Sequence, residues 1–143
     1  MNTTRDIILK VFGEFVENLK IIFNEQVEFK ANLSDDKKWQ IKVLCINGNL
    51  ELDVWFYDVG ETYDYSLNNK RNQEPVIRIN WLEVSPQKSG FGKKVWREFI
   101  STLPEKAFKR ILLDANDEAA FAFWKSQGFI QVGQTNYMFK DLY

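Results

Sequence analysis

In three short runs of the first half of the chain, every second residue is apolar. Val27, Phe29, Ala31 and Leu33 make the first run, Trp39, Ile41, Val43 and Cys45 the second, and Leu50, Leu52, Val54 and Phe56 the third. A period of two belongs to a strand with one buried face, and no helix accommodates it. Asn47-Gly48 joins the second run to the third, and both residues tolerate the positive φ that a two-residue type I′ turn demands. Ser34 to Lys37 is a polar turn between the first and second runs. The spacing predicts an antiparallel meander of three strands.

What flanks the meander follows another period. Ile7, Ile8, Val11, Phe12, Phe15, Val16, Leu19, Ile22 and Phe23 recur at helical spacing and give one wide apolar stripe. Thr3 is the expected N-cap, with Asp6 three residues on. Residues 58–74 carry no period and read as a connector or as a loop on the substrate side. Beyond them, strands and helices alternate. Val76 to Val84 reads as a strand that Pro86 breaks. Val95, Trp96, Phe99, Ile100 and Leu103 form a helical stripe ending near Pro104. Ile111 to Leu113 is a short buried strand. Ala119, Ala120, Phe123 and Trp124 lie on a further helix, with Gly128 where a left-handed glycine closes it. Phe129 to Val132 and Tyr137 to Phe139 are the last strands. A strand–helix–strand unit implies a parallel crossover, so the fold class is mixed α/β (α+β).

Composition narrows the chemistry. The chain has 143 residues, of which 45% are hydrophobic and 15% aromatic, so it has ample apolar surface for one domain spanning 1–143. Histidine is absent and Cys45 is the single cysteine. Ser-His-Asp and Cys-His catalysis are therefore excluded, as is an internal disulfide, and no metal site is expected. Nineteen basic residues face 20 acidic ones, which argues against non-specific binding of nucleic acid or a membrane surface. No apolar run approaches the length of a membrane span. A cytoplasmic location is the expectation.

One stretch points to a ligand. Gln87, Lys88, Ser89, Gly90, Phe91, Gly92, Lys93 and Lys94 lie between the end of a strand and the start of a helix. Glycines at 90 and 92 let the backbone turn tightly and approach a ligand. The N–H groups of a helix start then point outward at the positive end of its dipole, which is a phosphate site in physical terms. The pattern is neither a Walker A loop nor a dinucleotide loop, since Lys94 follows Gly92-Lys93 and position 95 is Val.

The run Gln87-Lys-Ser-Gly90-Phe-Gly92 resembles the Q/R-x-x-G-x-G/A signature of GNAT-type N-acetyltransferases. Asp114-Ala-Asn116 follows the next strand, and Ala120-Phe-Ala-Phe123-Trp124-Lys-Ser-Gln-Gly128-Phe129 resembles that family's helix and turn. The tail Tyr137-Met-Phe-Lys140 looks like its last strand. The resemblance covers roughly residues 75–143. It implies a mostly antiparallel mixed sheet of about seven strands flanked by helices, with a V-shaped splay between two central parallel strands. It also implies acetyl-CoA as co-substrate. Backbone groups at Leu82 and Val84 would pair with the pantetheine arm. Backbone N–H groups from Gln87 to Lys93 (Gln87, Lys88, Ser89, Gly90, Phe91, Gly92 and Lys93) would hold the pyrophosphate, and Asn116 would bond the pantetheine. Asn116 reads equally well as a helix N-cap.

The chain departs from the family where chemistry is done. The family's tyrosine position holds Trp124, whose indole N–H does not usefully protonate a thiolate, so Trp124 is assigned to packing against the pantetheine or the core. Tyr137, Ser126 or water remain as proton donors. No carboxylate lies in the middle of the 76–84 strand. Glu83 is the first candidate base, and Asp53 and Tyr57 on the neighbouring strand come next. The expected activity is acetyl transfer from acetyl-CoA to a primary amine, with the acceptor held by the 58–74 loop and the hairpin strands. The family's habit of forming dimers suggests a homodimer. The alternative is a weak or inactive acyl-CoA-binding or protein-interaction module on the same fold.

Overall fold

The computed structural model describes residues 4–22, 29–34, 39–45, 50–68, 70–84 and 90–143. In chain order they form α1 (Thr4–Ile22), β1 (Phe29–Ser34), β2 (Trp39–Cys45), β3 (Leu50–Tyr57), β4 (Tyr63–Asp64), a 3-10 turn (Tyr65–Leu67) and β5 (Lys70–Arg71). There follow β6 (Val76–Val84), α2 (Phe91–Thr102), β7 (Arg110–Asp114), α3 (Glu118–Ser126), β8 (Ile130–Gln131) and β9 (Tyr137–Asp141). Seven strands make one sheet in the order β1-β2-β3-β6-β7-β9-β8, and β4 and β5 make a separate two-stranded ribbon. β1 pairs antiparallel with β2, as do β7 and β8 with β9. β6 and β7 are parallel, with 76–79 opposite 110–113. β6 runs five residues past the last of these pairs, and β7 ends at Asp114. The predicted N-cap Thr3, the Asn47-Gly48 turn and most of the Ser34 to Lys37 turn lie outside the described residues.

The chain forms two compact units, residues 1–55 with 81–104, and residues 56–80 with 105–143. In the first, Ile8, Val11, Phe15 and Leu19 are fully buried along α1 at the spacing of one helical face. Val95, Trp96 and Phe99 are their counterparts on α2. Phe15 meets Phe99 edge to face at 5.3 Å, and Phe99 stacks on Trp96 at 5.8 Å. Ile41 and Val43 of β2, with Leu50, Leu52 and Val54 of β3, complete this core, as the alternation requires. Burying a side chain of this size contributes about 1.5–3 kcal/mol, so this aromatic and aliphatic cluster dominates the unit's stability.

The second unit centres on Ile77, Ile79, Ile111, Leu112, Leu113, Trp124, Phe129 and Met138. Its helix α3 is capped by Asp117, whose carboxylate accepts from the Ala120 N–H at 2.7 Å. Asn116 is therefore not the cap, and the N-cap reading of that residue is corrected: the chain turns into the helix one position later. Gly128 closes α3 with φ 92°, as its position after the apolar stripe predicts.

Residues 58–74 depart most from expectation. They form the β4–β5 ribbon around the 3-10 turn, fixed by polar groups. Asn72 is 2% exposed, yet its side chain is fully used. Its Oδ1 accepts from the Thr62 N–H at 3.0 Å, and its Nδ2 donates to the carbonyls of Asp58 and Glu74, both at 2.8 Å. Asp64, also 2% exposed, caps the 3-10 turn through the Ser66 N–H at 3.0 Å and takes the Arg110 guanidinium at 2.7 Å. Arg110 also pairs with Asp141, and these partners hold its guanidinium above the usual arginine range. No apolar period was needed, because the buried polar groups satisfy one another.

Candidate functional site

The first unit carries the phosphate-loop candidate. Gln87, Lys88 and Ser89 lie outside the described residues. Gly90 stands at the N-cap of α2 with φ 84°, a left-handed conformation that side-chain-bearing residues rarely adopt. It offers no side-chain cap, and a Cβ placed there meets nothing within 4 Å. The first backbone bond of the helix is Lys94 N–H to the Gly90 carbonyl, 3.1 Å. The N–H groups of Phe91, Gly92 and Lys93 precede that bond and have no carbonyl within the helix to meet. The first turn contains no acidic residue and instead presents exposed Lys93 and Lys94. Lysine at a helix start opposes the macrodipole, and an anion there would reverse the sign of that interaction. The dipole and the lysine charge at this end of the helix both favour an anion.

On β6, Leu82 is half-buried, Val84 is the last residue, and Glu83 is exposed. Glu83 has no hydrogen-bond or ion-pair partner among the described residues. Asp53 on β3 is held firmly. Its Oδ1 accepts from Gln40 Nε2 of β2 at 2.7 Å and from Trp55 Nε1 at 3.1 Å. Its Oδ2 has no hydrogen-bond partner among the described residues. No residue pattern in the sequence signals this clamp, because Gln40 and Asp53 are thirteen positions apart and meet only once β2 and β3 are placed.

The second unit holds the other candidates. Asn116 is exposed between β7 and α3. Trp124 is 6% exposed, with its ring edge-on to Phe123 at 4.9 Å and to Phe129 at 5.1 Å. Tyr137 opens β9 opposite Asp114, the last residue of β7. Its ring stacks on Tyr65 at 3.8 Å with the planes 14° apart, and the Arg78 guanidinium lies 5.5 Å from the Tyr65 ring. The hydrogen bond with Tyr65, then the charges of Tyr65 and slight desolvation, push the Tyr137 hydroxyl above the ordinary tyrosine range. Sequence reasoning missed Tyr65 because it lies in the segment without a period.

A separate groove of about 500 Å³ in this unit is lined by Asp64, Leu67, Gln73, Glu74, Val76, Lys109 and Arg110. It sits at the first residues of β6 and β7, away from the strand ends that lead to the glycine turn and to Asn116. Asp64 and Arg110 already satisfy each other there, and Lys109 donates to the Tyr143 carbonyl. Among the described residues there is no group of three or more His, Cys, Asp or Glu side chains arranged to hold a metal ion, and no helix long and apolar enough to cross a membrane.

The seven-stranded order, the single parallel pair at its centre and the glycine turn that opens α2 define the fold of GNAT-type acetyltransferases. Particular solved structures share it. A mutant of the AtaT toxin, bound to the C-terminus of the antitoxin AtaR and acetyl-CoA, matches with a TM-score of 0.54 and 18% identity, covering 71% of this chain and 67% of that one. A mutant of KacT matches with a TM-score of 0.53 and 15% identity, over 87% of this chain and 82% of that one. AtaT complexed with acetyl-methionyl-tRNAfMet matches with a TM-score of 0.50 and 17% identity, over 75% and 72%. At these identities the likeness is one of fold. No family model and no curated protein matches the sequence.

Proposed function

We propose that this protein is an acetyl-CoA-dependent N-acetyltransferase, a single domain working in the cytoplasm. The observation that carries the reading is the start of α2. A left-handed glycine, two lysines and no acidic residue stand at this helix start, and a solved structure of the same fold, the AtaT mutant, holds acetyl-CoA. The residues present suit a pyrophosphate, and the open space at Gly90 leaves room for one.

Acetyl-CoA supplies an activated acyl thioester. The protein's part is to hold it and to manage protons. Backbone groups at Leu82 and Val84 bind the pantetheine arm as an added strand would, and Asn116 bonds it from the end of β7. Glu83 accepts the proton of the attacking amine, directly or through water, as the C–N bond forms and the C–S bond breaks. Tyr137 donates to the departing sulfur. Trp124 packs. The acceptor is a primary amine, and an aminoacyl-tRNA joins small molecules and proteins in that class, because AtaT is seen with acetyl-methionyl-tRNAfMet. Binding of nucleic acid is thus admitted, against the reading from net charge alone.

One observation favours a second reading. Trp124 is buried among Phe123 and Phe129, so the usual tyrosine position offers no hydroxyl. An acyl-CoA-binding module without turnover would tolerate that substitution.

A thermal-shift titration decides the first step. Acetyl-CoA at a hundred times its dissociation constant adds about 2.7 kcal/mol, which raises the melting temperature by roughly 5 °C, while ATP adds nothing comparable. Gly90→Ala costs about 1 kcal/mol of backbone strain, leaves the protein folded, and removes most of the acetyl-CoA shift. No shift in the wild type at millimolar acetyl-CoA would end the proposal. Binding without transfer to any amine would favour the module.

A further inference from the structure

We propose that Asp53 is the residue that receives the acceptor's ammonium group, with Trp55 beside it as the aromatic wall. The inference rests on the transferase reading above, and its geometry lies wholly within the first unit. Asp53 is a half-buried carboxylate with one oxygen used and one to spare. Gln40 and Trp55 both donate to Oδ1, at 2.7 and 3.1 Å, and Oδ2 meets no hydrogen-bond partner among the described residues. An ionised carboxylate accepts at about four lone-pair positions, so two neutral donors leave half its capacity unspent. The donors come from both sides, one across the strand pair and one two residues along β3, so the side chain is already ordered before a ligand arrives. Recognition by such a group loses little further side-chain freedom.

Asp53 and its surroundings select the sign and shape of the ligand. Strand alternation puts Glu51, Asp53 and Trp55 on one face of β3, and all three are half-buried. The Gln40 bond shows that the Gln40 and Lys42 face of β2 is the same face. Glu51 and Asp53 share this face with Lys42 of β2 and, at the position opposite Leu44, Lys30 of β1, so the sign of the ligand is set by Asp53 Oδ2 and not by a surplus of carboxylates. A carboxylate next to an indole is the combination that recognises an alkylammonium, by charge-assisted hydrogen bonds and by attraction to the ring. β3 adjoins β6 in the sheet, the strand that carries Leu82 and Glu83. Glu83, exposed and without a hydrogen-bond or ion-pair partner among the described residues, suits proton removal, whereas the anchored Asp53 suits holding the amine. The two carboxylates thus divide the work.

The Trp55 indole N–H reports on Asp53 directly, because the two are hydrogen-bonded. The experiment follows that N–H resonance by NMR, assigned with Trp55→Phe, while n-butylammonium chloride is added to the full chain. Matched sodium chloride and n-butanol are the controls. A saturable shift with the ammonium, absent with the alcohol, is expected. Asp53→Asn keeps an oxygen for Gln40 and Trp55, so it should melt like the wild type while binding the ammonium about tenfold more weakly. An N–H that ignores the ammonium, or one that shifts equally in Asp53→Asn, overturns the assignment and leaves the clamp as a tie between β2 and β3. The parent reading fails separately. A protein that passes this titration but gives no thermal shift with acetyl-CoA keeps its ammonium site and loses its transferase role.

Discussion

The segment 58–74 and the start of α2 are opposites. Both lack apolar period, and both are built from glycine, charged and polar residues. In 58–74 every buried polar group finds its partner within the chain. Asn72 satisfies three backbone groups, and Asp64 serves a turn and a guanidinium at once. At the start of α2, Gly90 has no side chain to offer, and the first turn carries Lys93 and Lys94 in place of an acidic residue. Polar residues that answer one another build a scaffold, whereas a helix start with lysines and no acidic residue suits an anion. Distinguishing the two requires knowing where each donor ends, which composition does not reveal.

The comparison breaks first at Asp64. Asp64→Ala leaves the Arg110 guanidinium without its buried partner and Ser66 without its acceptor. Removing one side of a buried pair costs several kcal/mol, and about 3 here, because Asp141 still pairs with Arg110. A fall of about 10 °C in melting temperature is expected by calorimetry. A change under 2 °C would mean that 58–74 is no scaffold. Next comes the other pole, Lys93→Glu. Glutamate in a first turn suits the dipole, so the unliganded protein should melt no lower than the wild type. Acetyl-CoA should bind about a hundredfold more weakly, since each hydrogen bond to a charged oxygen is worth roughly 1.5–3 kcal/mol. Calorimetric titration reads this, and equal loss of stability and binding would show that Lys93 serves the fold.

The smallest effect is the sharpest. Tyr137 has its hydroxyl raised above the ordinary value by Tyr65, so between those two values the folded state holds a proton that the unfolded state has released. Stability from this source is complete below about pH 10 and is lost as pH climbs through the folded value. Tyr143 contributes in the same direction through desolvation and Glu74. Absorbance titration at alkaline pH should find Tyr137 and Tyr143 ionising late in the wild type, and Tyr143 alone ionising late in Tyr65→Phe. If Tyr65→Phe titrates like the wild type, the two hydroxyls do not share a hydrogen bond.

Much of the architecture was legible because hydrophobic period survives tertiary packing. Trp39 to Cys45 and Val76 to Val84 are strands with the bounds the sequence implies, and Gly128 sits at positive φ where a helix had to stop. The glycine turn was legible because φ 84° at Gly90 is a backbone demand that few other residues meet. The 58–74 ribbon was not, since its bonds run from side chain to distant backbone and leave no repeat. Asn116 was misjudged as a possible cap because Asp117 follows at once, and two adjacent capping residues look alike until the helix start is fixed. Of the candidate residues, the left-handed turn at Gly90 could be read, and the clamp on Asp53 could not, for it exists only across a strand pair.

The division of the chain has a consequence for how it is made. The first unit needs residues 1–55 and 81–104, and the second needs 56–80 and 105–143. Each unit is therefore two segments, and no single cleavage releases either one whole without a stranded piece of the other. A ribosome emitting about 5–20 residues per second finishes the first unit while the other has only its leading strands. β3 and β6 each belong to both units, so the early unit must complete itself on strands whose remaining residues wait for the last third of the chain. Vectorial synthesis thus imposes an order of assembly, and a circular permutation opening the chain at residue 105 would reverse it.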